Sequence, residues 1–390
     1  MTVFTPSPLM LYVHIPYCVH KCHYCDFNSH ERASPDWAAY QAALIRELEY
    51  WATSPMFKDR ELASIFFGGG TPSLAPAELI TTVIESAAAL CGFSDGIEIT
   101  LEANPGTVDA GNFSAYRKAG VNRLSMGVQS LNQDELQWLE RIHGEEEVYN
   151  AFRMARAAGF SNINLDLIYG LPGQSMQSWL ESLNRAIELA PEHLSCYQLT
   201  VEPHTKLAAR HRKTPYALPE EELALEMLFT TRERLRQAGY DAYEISNFAR
   251  HHRYCRHNDG YWLYHDYIGI GAGASGKWDE KETLGMTRYS NTRNPERYIE
   301  TVLQKGFAIN SQETLSGDHA AAEAIWVGLR RSTGISRATY QSRFGFDAME
   351  HFSDQLTAWQ QRHMLDVSQD NIRLTATGLP LADEIAASVL

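Results

Sequence analysis

The sequence has no run of apolar residues long enough to cross a bilayer, a task that takes about 20 of them in a helix. No secretory leader is expected from Met1 to Met10, which carry neither a basic segment nor an apolar one. Positive charge is in deficit: 34 Lys and Arg stand against 48 Asp and Glu, a formal net charge of −14. A nucleic-acid-binding chain would show a basic footprint, and none is present. Cysteine is scarce and badly spread for disulfides. Of six, three fall between residues 18 and 25, and Cys91, Cys196 and Cys255 are scattered. Internal repeats and low-complexity tracts are missing. These absences argue against a membrane-spanning chain, a secreted disulfide scaffold and a nucleic-acid partner, and they lead to the expectation of a soluble, cytoplasmic protein.

What the chain does have is alternation. With 390 residues, 44% of them apolar, it can build one large domain and a smaller one. Short apolar runs at 11–15, 63–67, 97–102, 123–126, 162–168 and 194–199 read as strands. Amphipathic stretches at 36–51, 76–91, 109–119, 133–140, 145–158, 175–189 and 220–238 read as helices between them. A further extended run covers 242–245. Such order implies βα units on a parallel sheet. The expected fold class is α/β, a partial (β/α)6 barrel, with a doubly wound open sheet as the rival. After residue 310 the pattern changes to helical runs, a small hairpin at 364–367 and 372–376, and a last helix, a small helical or winged-helix-like domain. The domain expectation is therefore 1–240, 241–309 and 310–390.

The residues that carry chemistry sit just after the apolar strands. Cys18-Val-His-Lys-Cys22-His-Tyr-Cys25 puts three thiols on one loop. Thiolates are soft ligands for iron–sulfur clusters and for zinc. A structural zinc ion takes four ligands, and His20 and His23 keep a zinc-binding interaction protein in play. No second cysteine pair exists to complete the usual zinc arrangement. Three thiols would leave one iron of a [4Fe–4S] cubane open to a chelating amino acid.

Gly68-Gly69-Gly70-Thr71-Pro72 closes the second strand, where glycine lets backbone approach a ligand. Glu102 could accept from a ribose diol. Arg141 could fork onto a carboxylate. Asp166, inside an apolar strand, needs a partner, and with Gln129 it makes a set that faces the same edge.

The Cys spacing, preceded by Tyr12-Val-His-Ile-Pro-Tyr-Cys18, resembles the radical SAM superfamily. Tyr12–Phe27, Gly68–Ser73, Leu101–Pro105, Ser125–Gln129, Arg141–Gly144, Asn164–Pro172 and Tyr197–Pro203 together resemble the oxygen-independent coproporphyrinogen oxidase-like family, over about residues 10 to 380. The resemblance implies a cluster on Cys18, Cys22 and Cys25. It also implies contacts to S-adenosylmethionine from Tyr12, Tyr24, Gly69, Gly70, Thr71, Glu102, Gln129, Arg141, Asp166 and Thr200, some of them at a second such site.

Two branches of that family differ. The coproporphyrinogen III dehydrogenase branch has a longer N-terminal extension and a further cysteine after the triad, where this chain reads Cys25-Asp26-Phe27-Asn28. The heme chaperone branch is similar to this chain at both points. That branch also carries a His-Asn-x-x-Tyr-Trp motif, here His257-Asn258-Asp259-Gly260-Tyr261-Trp262. The motif implies heme as a third cofactor, with His257 as axial ligand and Tyr261 and Trp262 as flat surface. Cys255, His251, His252 and His265 are rival ligands. The glycine-rich run Tyr267–Gly276 reads as a backbone wall near the cofactor.

The expected function is a heme chaperone that passes heme to an acceptor hemoprotein. The alternatives are oxidative decarboxylation of coproporphyrinogen and a zinc-binding interaction protein. Enzymatic status, peripheral contact with a membrane-bound acceptor, and the choice between monomer and homodimer stay open.

Overall fold

The computed structural model describes residues 8–108, 110–280 and 282–390. Residue 109, expected to open a helix, and residues 1–7 of the leader reading lie outside them.

Six strands of the barrel follow the sequence expectation: β1 (Leu9–Ile15), β2 (Leu62–Gly69), β3 (Phe93–Ala103), β4 (Arg123–Gln129), β5 (Ile163–Tyr169) and β6 (His193–Gln198). They pair in parallel in that order. Parallel strands are covered on both faces, and the residues of each strand divide accordingly. Leu11, Val13, Leu124, Met126, Leu165, Leu167 and Leu194 join the main apolar core beneath the helices. The alternate residues of the same strands, from Tyr12 to Tyr197, are mostly polar.

The connecting helices begin where side chains satisfy free N–H groups. Asp36 caps Trp37–Ala52, Asn132 caps Gln133–Trp138, and Ser175 caps Met176–Glu188.

The sheet is larger than expected. After β7 (Asp241–Ala242) and β8 (Asn247–Ala249) come β9 (Asp266–Ile270), β10 (Ser275–Glu280), β11 (Gly285–Asn291) and β12 (Ile309–Leu315). The order is β12-β11-β10-β9-β1-β2-β3-β4-β5-β6-β8-β7. β9 is a seventh parallel strand, lying against β1, so the front of the glycine-rich run is part of the sheet. The end strands β12 and β7 do not pair, so the barrel is partial. β12 straddles the expected boundary at 309/310. Its pairing with β11 assigns it to the large sheet.

Beyond it, a second apolar core holds helices Gly317–Gly328, Arg337–Phe344 and Ser353–Gln361 against a three-stranded sheet. That sheet contains the expected hairpin, Leu365–Val367 with Asn371–Leu374, and adds Ile335–Ser336. One of the helical runs is broken at Phe352 into Ala348–His351 and Ser353–Gln361.

Candidate functional site

The C-terminal ends of β1 to β6 surround a cleft of about 440 Å³. Cys18, Cys22 and Cys25 line one wall, and Tyr24, Gly69, Gly70, Thr71, Glu102, Gln129, Arg141, Asp166 and Thr200 line the rest. Residues separated by up to 182 positions in the chain thus meet in one space. Among the expected contacts, only Tyr12 and His257 lie elsewhere.

The cysteine loop is held by its own backbone and by its neighbours. Pro16 ends β1, and Tyr17–Cys18 then pairs with His30–Glu31 in a short ribbon. Lys21 donates to the carbonyls of Phe27 and Ser29 at 2.9 and 3.3 Å, closing the loop. The thiols receive donors one by one: Thr71 Oγ1 lies 3.4 Å from Cys18 Sγ, and Arg141 Nη1 lies 3.6 Å from Cys22 Sγ. Ser29 Oγ is 3.8 Å from Cys25 Sγ. Burial pushes the Cys18 and Cys25 thiols above their ordinary range. Thiols in that position ionise when a cation compensates them.

Two observations bear on the choice between a cluster and a single ion. Among the described residues no three His, Cys, Asp or Glu side chains converge on one ion-sized point. His20 and His23 also have other partners. His20 pairs with Glu31 and Glu140 at 3.2 and 3.6 Å, and His23 stacks edge-on against Trp138. Three thiols on one loop fit a cluster with one open iron, whereas a structural zinc ion takes four ligands.

The glycine turn has a steric reason. A side chain at Gly70 would stand 2.7 Å from the Tyr17 carbonyl and 3.0 Å from Cys18 Sγ. Gly69 has φ of +121°, which an L side chain rarely adopts. Its N–H donates to Glu102 Oε2 at 3.1 Å.

Beside Cys22, Arg141 Nη2 donates to the Gly127 carbonyl at 2.6 Å. Its buried Nε has no hydrogen-bond partner among the described residues. A buried guanidinium with a free donor fits an incoming carboxylate. Gln129 has φ of +71° beside a bulge in β4, which sets it apart from the strand's regular alternation.

Glu102 is raised to about 8, first by burial and then by the neighbouring Asp166 carboxylate. Burial also raises Asp166, partly offset by hydrogen bonds. Asn164 Nδ2 is 2.8 Å from its Oδ1 and Ser125 Oγ is 3.2 Å from its Oδ2.

Tyr12 and His257 belong to a second, inner cavity of about 180 Å³, joined to the cleft across Glu102, Ser125, Asp166 and Tyr197. Tyr12 donates toward His14, with Oη 3.0 Å from Nδ1.

His257, the expected axial ligand, lies in this inner cavity. The side chain is 1% exposed, with Nδ1 2.8 Å from Ser64 Oγ and Nε2 2.9 Å from Tyr261 Oη. Phe66 and Tyr261 cover its ring, and burial lowers it to about 3. Both ring nitrogens are hydrogen-bonded, so ligation of an iron would require His257 to exchange Ser64 or Tyr261 for it. Cys255 is equally buried, its Sγ 3.6 Å from Glu98 Oε1. The motif's other residues are anchored too: Arg331 forks onto Asp259 at 2.7 and 3.3 Å, and the Arg330 guanidinium lies 5.0 Å from the Trp262 ring centre.

Sequence reasoning missed Arg123. It is fully buried and also lines the inner cavity, with Glu98 and Asp166 as charge neighbours. An arginine opening a barrel strand, Arg123-Leu-Ser-Met-Gly-Val-Gln129, was the available signal.

Comparison with known proteins agrees with this geometry. The chain matches the Radical SAM superfamily over residues 12–186 and the HemN C-terminal domain over 315–381. It is 46% identical over 298 residues to the heme chaperone HemW of Haemophilus influenzae, covering 75% of this chain and 76% of that one. It is 34% identical over 380 residues to the heme chaperone HemW of Bacillus subtilis, covering 97% and 98%. Among solved structures it is similar to coproporphyrinogen III oxidase (HemN) from Escherichia coli, a radical SAM enzyme, with a TM-score of 0.84 and 26% identity over 100% of this chain and 91% of that one. Identity at this level along nearly the whole length, with the cysteine cleft intact, places the chain in the HemW family of the radical SAM superfamily.

Proposed function

We propose that this protein is a heme chaperone, which takes up heme as cargo and passes it to an acceptor hemoprotein, and that its cleft holds a [4Fe–4S] cluster and S-adenosylmethionine. The observation that carries the reading is the assembly of the three cysteines with Glu102, Arg141 and Asp166 in one cleft of a HemW-family chain.

Cys18, Cys22 and Cys25 would supply the three thiolates, leaving one iron for the amino acid end of the cofactor. When bound, that pair supplies redox chemistry at the open iron. The protein's own groups have definable parts. Arg141 offers its free Nε to a carboxylate. Glu102, protonated near neutrality, can both donate to and accept from a ribose diol. Thr71 and Arg141 donate toward Cys18 and Cys22, which stabilises them as thiolates.

The heme site is not assigned to His257, which the fold uses internally. No described helix is long and apolar enough to cross a membrane. We place the protein in the cytoplasm as a monomer or homodimer, with peripheral contact where the acceptor is membrane-bound.

The test is anaerobic reconstitution followed by titration with heme and, separately, incubation with coproporphyrinogen III, S-adenosylmethionine and a reductant. Stoichiometric heme uptake without porphyrinogen turnover is expected. Robust oxidative decarboxylation would replace this reading with the enzymatic one.

A further inference from the structure

Between the barrel and the small C-terminal domain lies a cavity of about 640 Å³ that shares no lining residue with the cysteine cleft. Its size is that of a small-molecule site, about 300–1,000 Å³. Helix Glu221–Gln237 contributes Phe229, Arg232, Glu233 and Arg236, whose offsets of three, four and seven place them on one face. The C-terminal domain contributes Leu374, Ala376 and Leu379. Tyr240 and Leu329, both buried, add apolar lining, and Phe229 is left exposed.

Four arginines and three carboxylates line the same space. Most of them are already matched. Arg236 forks onto Glu233 at 2.9 and 2.8 Å, and Arg331 forks onto Asp259. Glu244 accepts from the Ser246 N–H and from Asn247 Nδ2 at 2.6 and 2.8 Å, and Asp241 stands exposed. Arg232 and Arg330 are the exceptions. Arg232 Nη1 donates to the carbonyls of Glu244 and Ile245 at 3.3 and 3.0 Å, and the side chain forms no ion pair among the described residues. Burial lowers it below its ordinary range, with Glu244 offsetting part of the shift. Arg330 reaches the exposed Asp383 through Nη1 at 3.2 Å, and its buried Nε has no hydrogen-bond partner among the described residues. Guanidiniums with spare donors beside apolar walls suit a ligand with an apolar body and carboxylate ends.

An adjoining cavity of about 460 Å³ shares Ser332, Leu374, Thr375 and Ala376 with the first and is lined by His363. His363 is exposed, its φ is +60°, and Thr375 Oγ1 holds its carbonyl at 2.8 Å. Its ring makes no hydrogen bond among the described residues, unlike that of His257. A neutral imidazole in that state is open to a metal. The helix of the His257 motif braces the arginines: Asp259 holds Arg331, and Trp262 lies under Arg330.

We infer that this interdomain cavity is the heme site: its apolar walls take the porphyrin, Arg232 and Arg330 pair with the two propionates, and His363 supplies the axial nitrogen. The inference rests on the chaperone reading above and gives its cargo a place. It also gives the His257 motif a part in heme binding, as the support of the cavity's arginines.

The test is a Soret titration of the anaerobically reconstituted full-length protein with heme and, separately, with heme dimethyl ester, whose propionates are blocked. Wild type should prefer the free acid by about tenfold or more. The double variant Arg232→Gln, Arg330→Gln should bind both forms alike, with its cluster absorbance intact. The two ligands are compared within one protein, so a general loss of stability does not mimic this result. His363→Ala should shift the Soret band, and added imidazole should restore it.

A double variant that keeps the wild-type preference would overturn the inference. So would an unchanged Soret band in His363→Ala. Displacement of heme by an equimolar amount of oleate would also overturn it, because the cavity would then suit a single-tailed carboxylate. Wild-type protein that takes up no heme would remove the chaperone reading together with this one, an outcome distinct from the other three.

Discussion

Single residues divide into those whose role follows from their type and those whose role follows from their neighbours. The cysteines are of the first kind. Three thiols at this spacing have few uses, and the fold lines them along one wall beside Arg141 and Thr71. Cys22→Ser should abolish the visible absorbance of a reconstituted cluster while leaving heme uptake in place, as optical titration under anaerobic conditions will check. His257 is of the second kind. A motif in one dimension names an imidazole but not what fills its two nitrogens, and here Ser64 and Tyr261 fill both. Removing the ring leaves two buried hydroxyls without partners and a hole beside Phe66. His257→Ala should therefore cost about 2–4 kcal/mol of stability in urea unfolding and leave the Soret band of bound heme unchanged. A lost Soret band at full stability would restore the ligand role.

Elements show how far periodicity carries. The six barrel strands were legible because parallel strands buried on both faces read as apolar runs, and the helices between them because their caps and apolar stripes agree. β10, β11 and β12 were not. Ser275–Glu280, Gly285–Asn291 and Ile309–Leu315 are rich in polar residues, and β12 is exposed along most of its length. β10 and β11 form an antiparallel pair, and β12, the edge strand, adds to β11, so a backbone ladder rather than an apolar stripe holds these polar residues in strands.

The glycine-rich run was read as a wall near the cofactor. Its role in the fold is to let helix Trp37–Ala52 approach the sheet. There Glu47, wholly buried, accepts from the Gly271 N–H at 3.0 Å, Tyr298 Oη at 2.6 Å and Asn291 Nδ2 at 2.8 Å. Burial raises Glu47 from 4.5 to about 7, against the pull of those donors. A carboxyl raised on folding keeps its proton in the folded chain after the unfolded chain has lost it. Its contribution to stability is thus constant below pH 4.5, falls as the pH rises from there to about 7, and is flat above. Unfolding free energies at pH 5 and pH 8 should show wild type losing more stability between them than Glu47→Gln. A larger loss in the variant would reverse the sign.

At the scale of the whole molecule, the small C-terminal domain is fastened to the barrel through the helix of the His257 motif. Arg331 forks onto Asp259, Arg330 lies over Trp262, and the Ser332 N–H donates to the Tyr243 carbonyl at 2.9 Å. None of this was legible in the sequence, since an adjacent Arg pair on a helical run reads equally well as a solvated face. The joint predicts that Asp259→Ala costs about 1.5 kcal/mol and makes residues after Leu315 more sensitive to limited proteolysis; unchanged digestion would show that the apolar contacts alone hold the domain.

The cleft, by contrast, was almost fully legible. Its residues come from strand ends, where type, spacing and position in the barrel coincide. What the sequence could not give was the division into an open cleft with the thiols and an inner cavity with Tyr12 and His257. The measurement that bears most directly on the central claim is anaerobic transfer of heme from the loaded protein to an apo-hemoprotein, followed by the Soret spectrum of the acceptor. The account predicts that the acceptor gains its holo spectrum as the donor loses heme, with no consumption of coproporphyrinogen III in a parallel reaction. Heme that stays on the donor, together with porphyrinogen turnover, would contradict it.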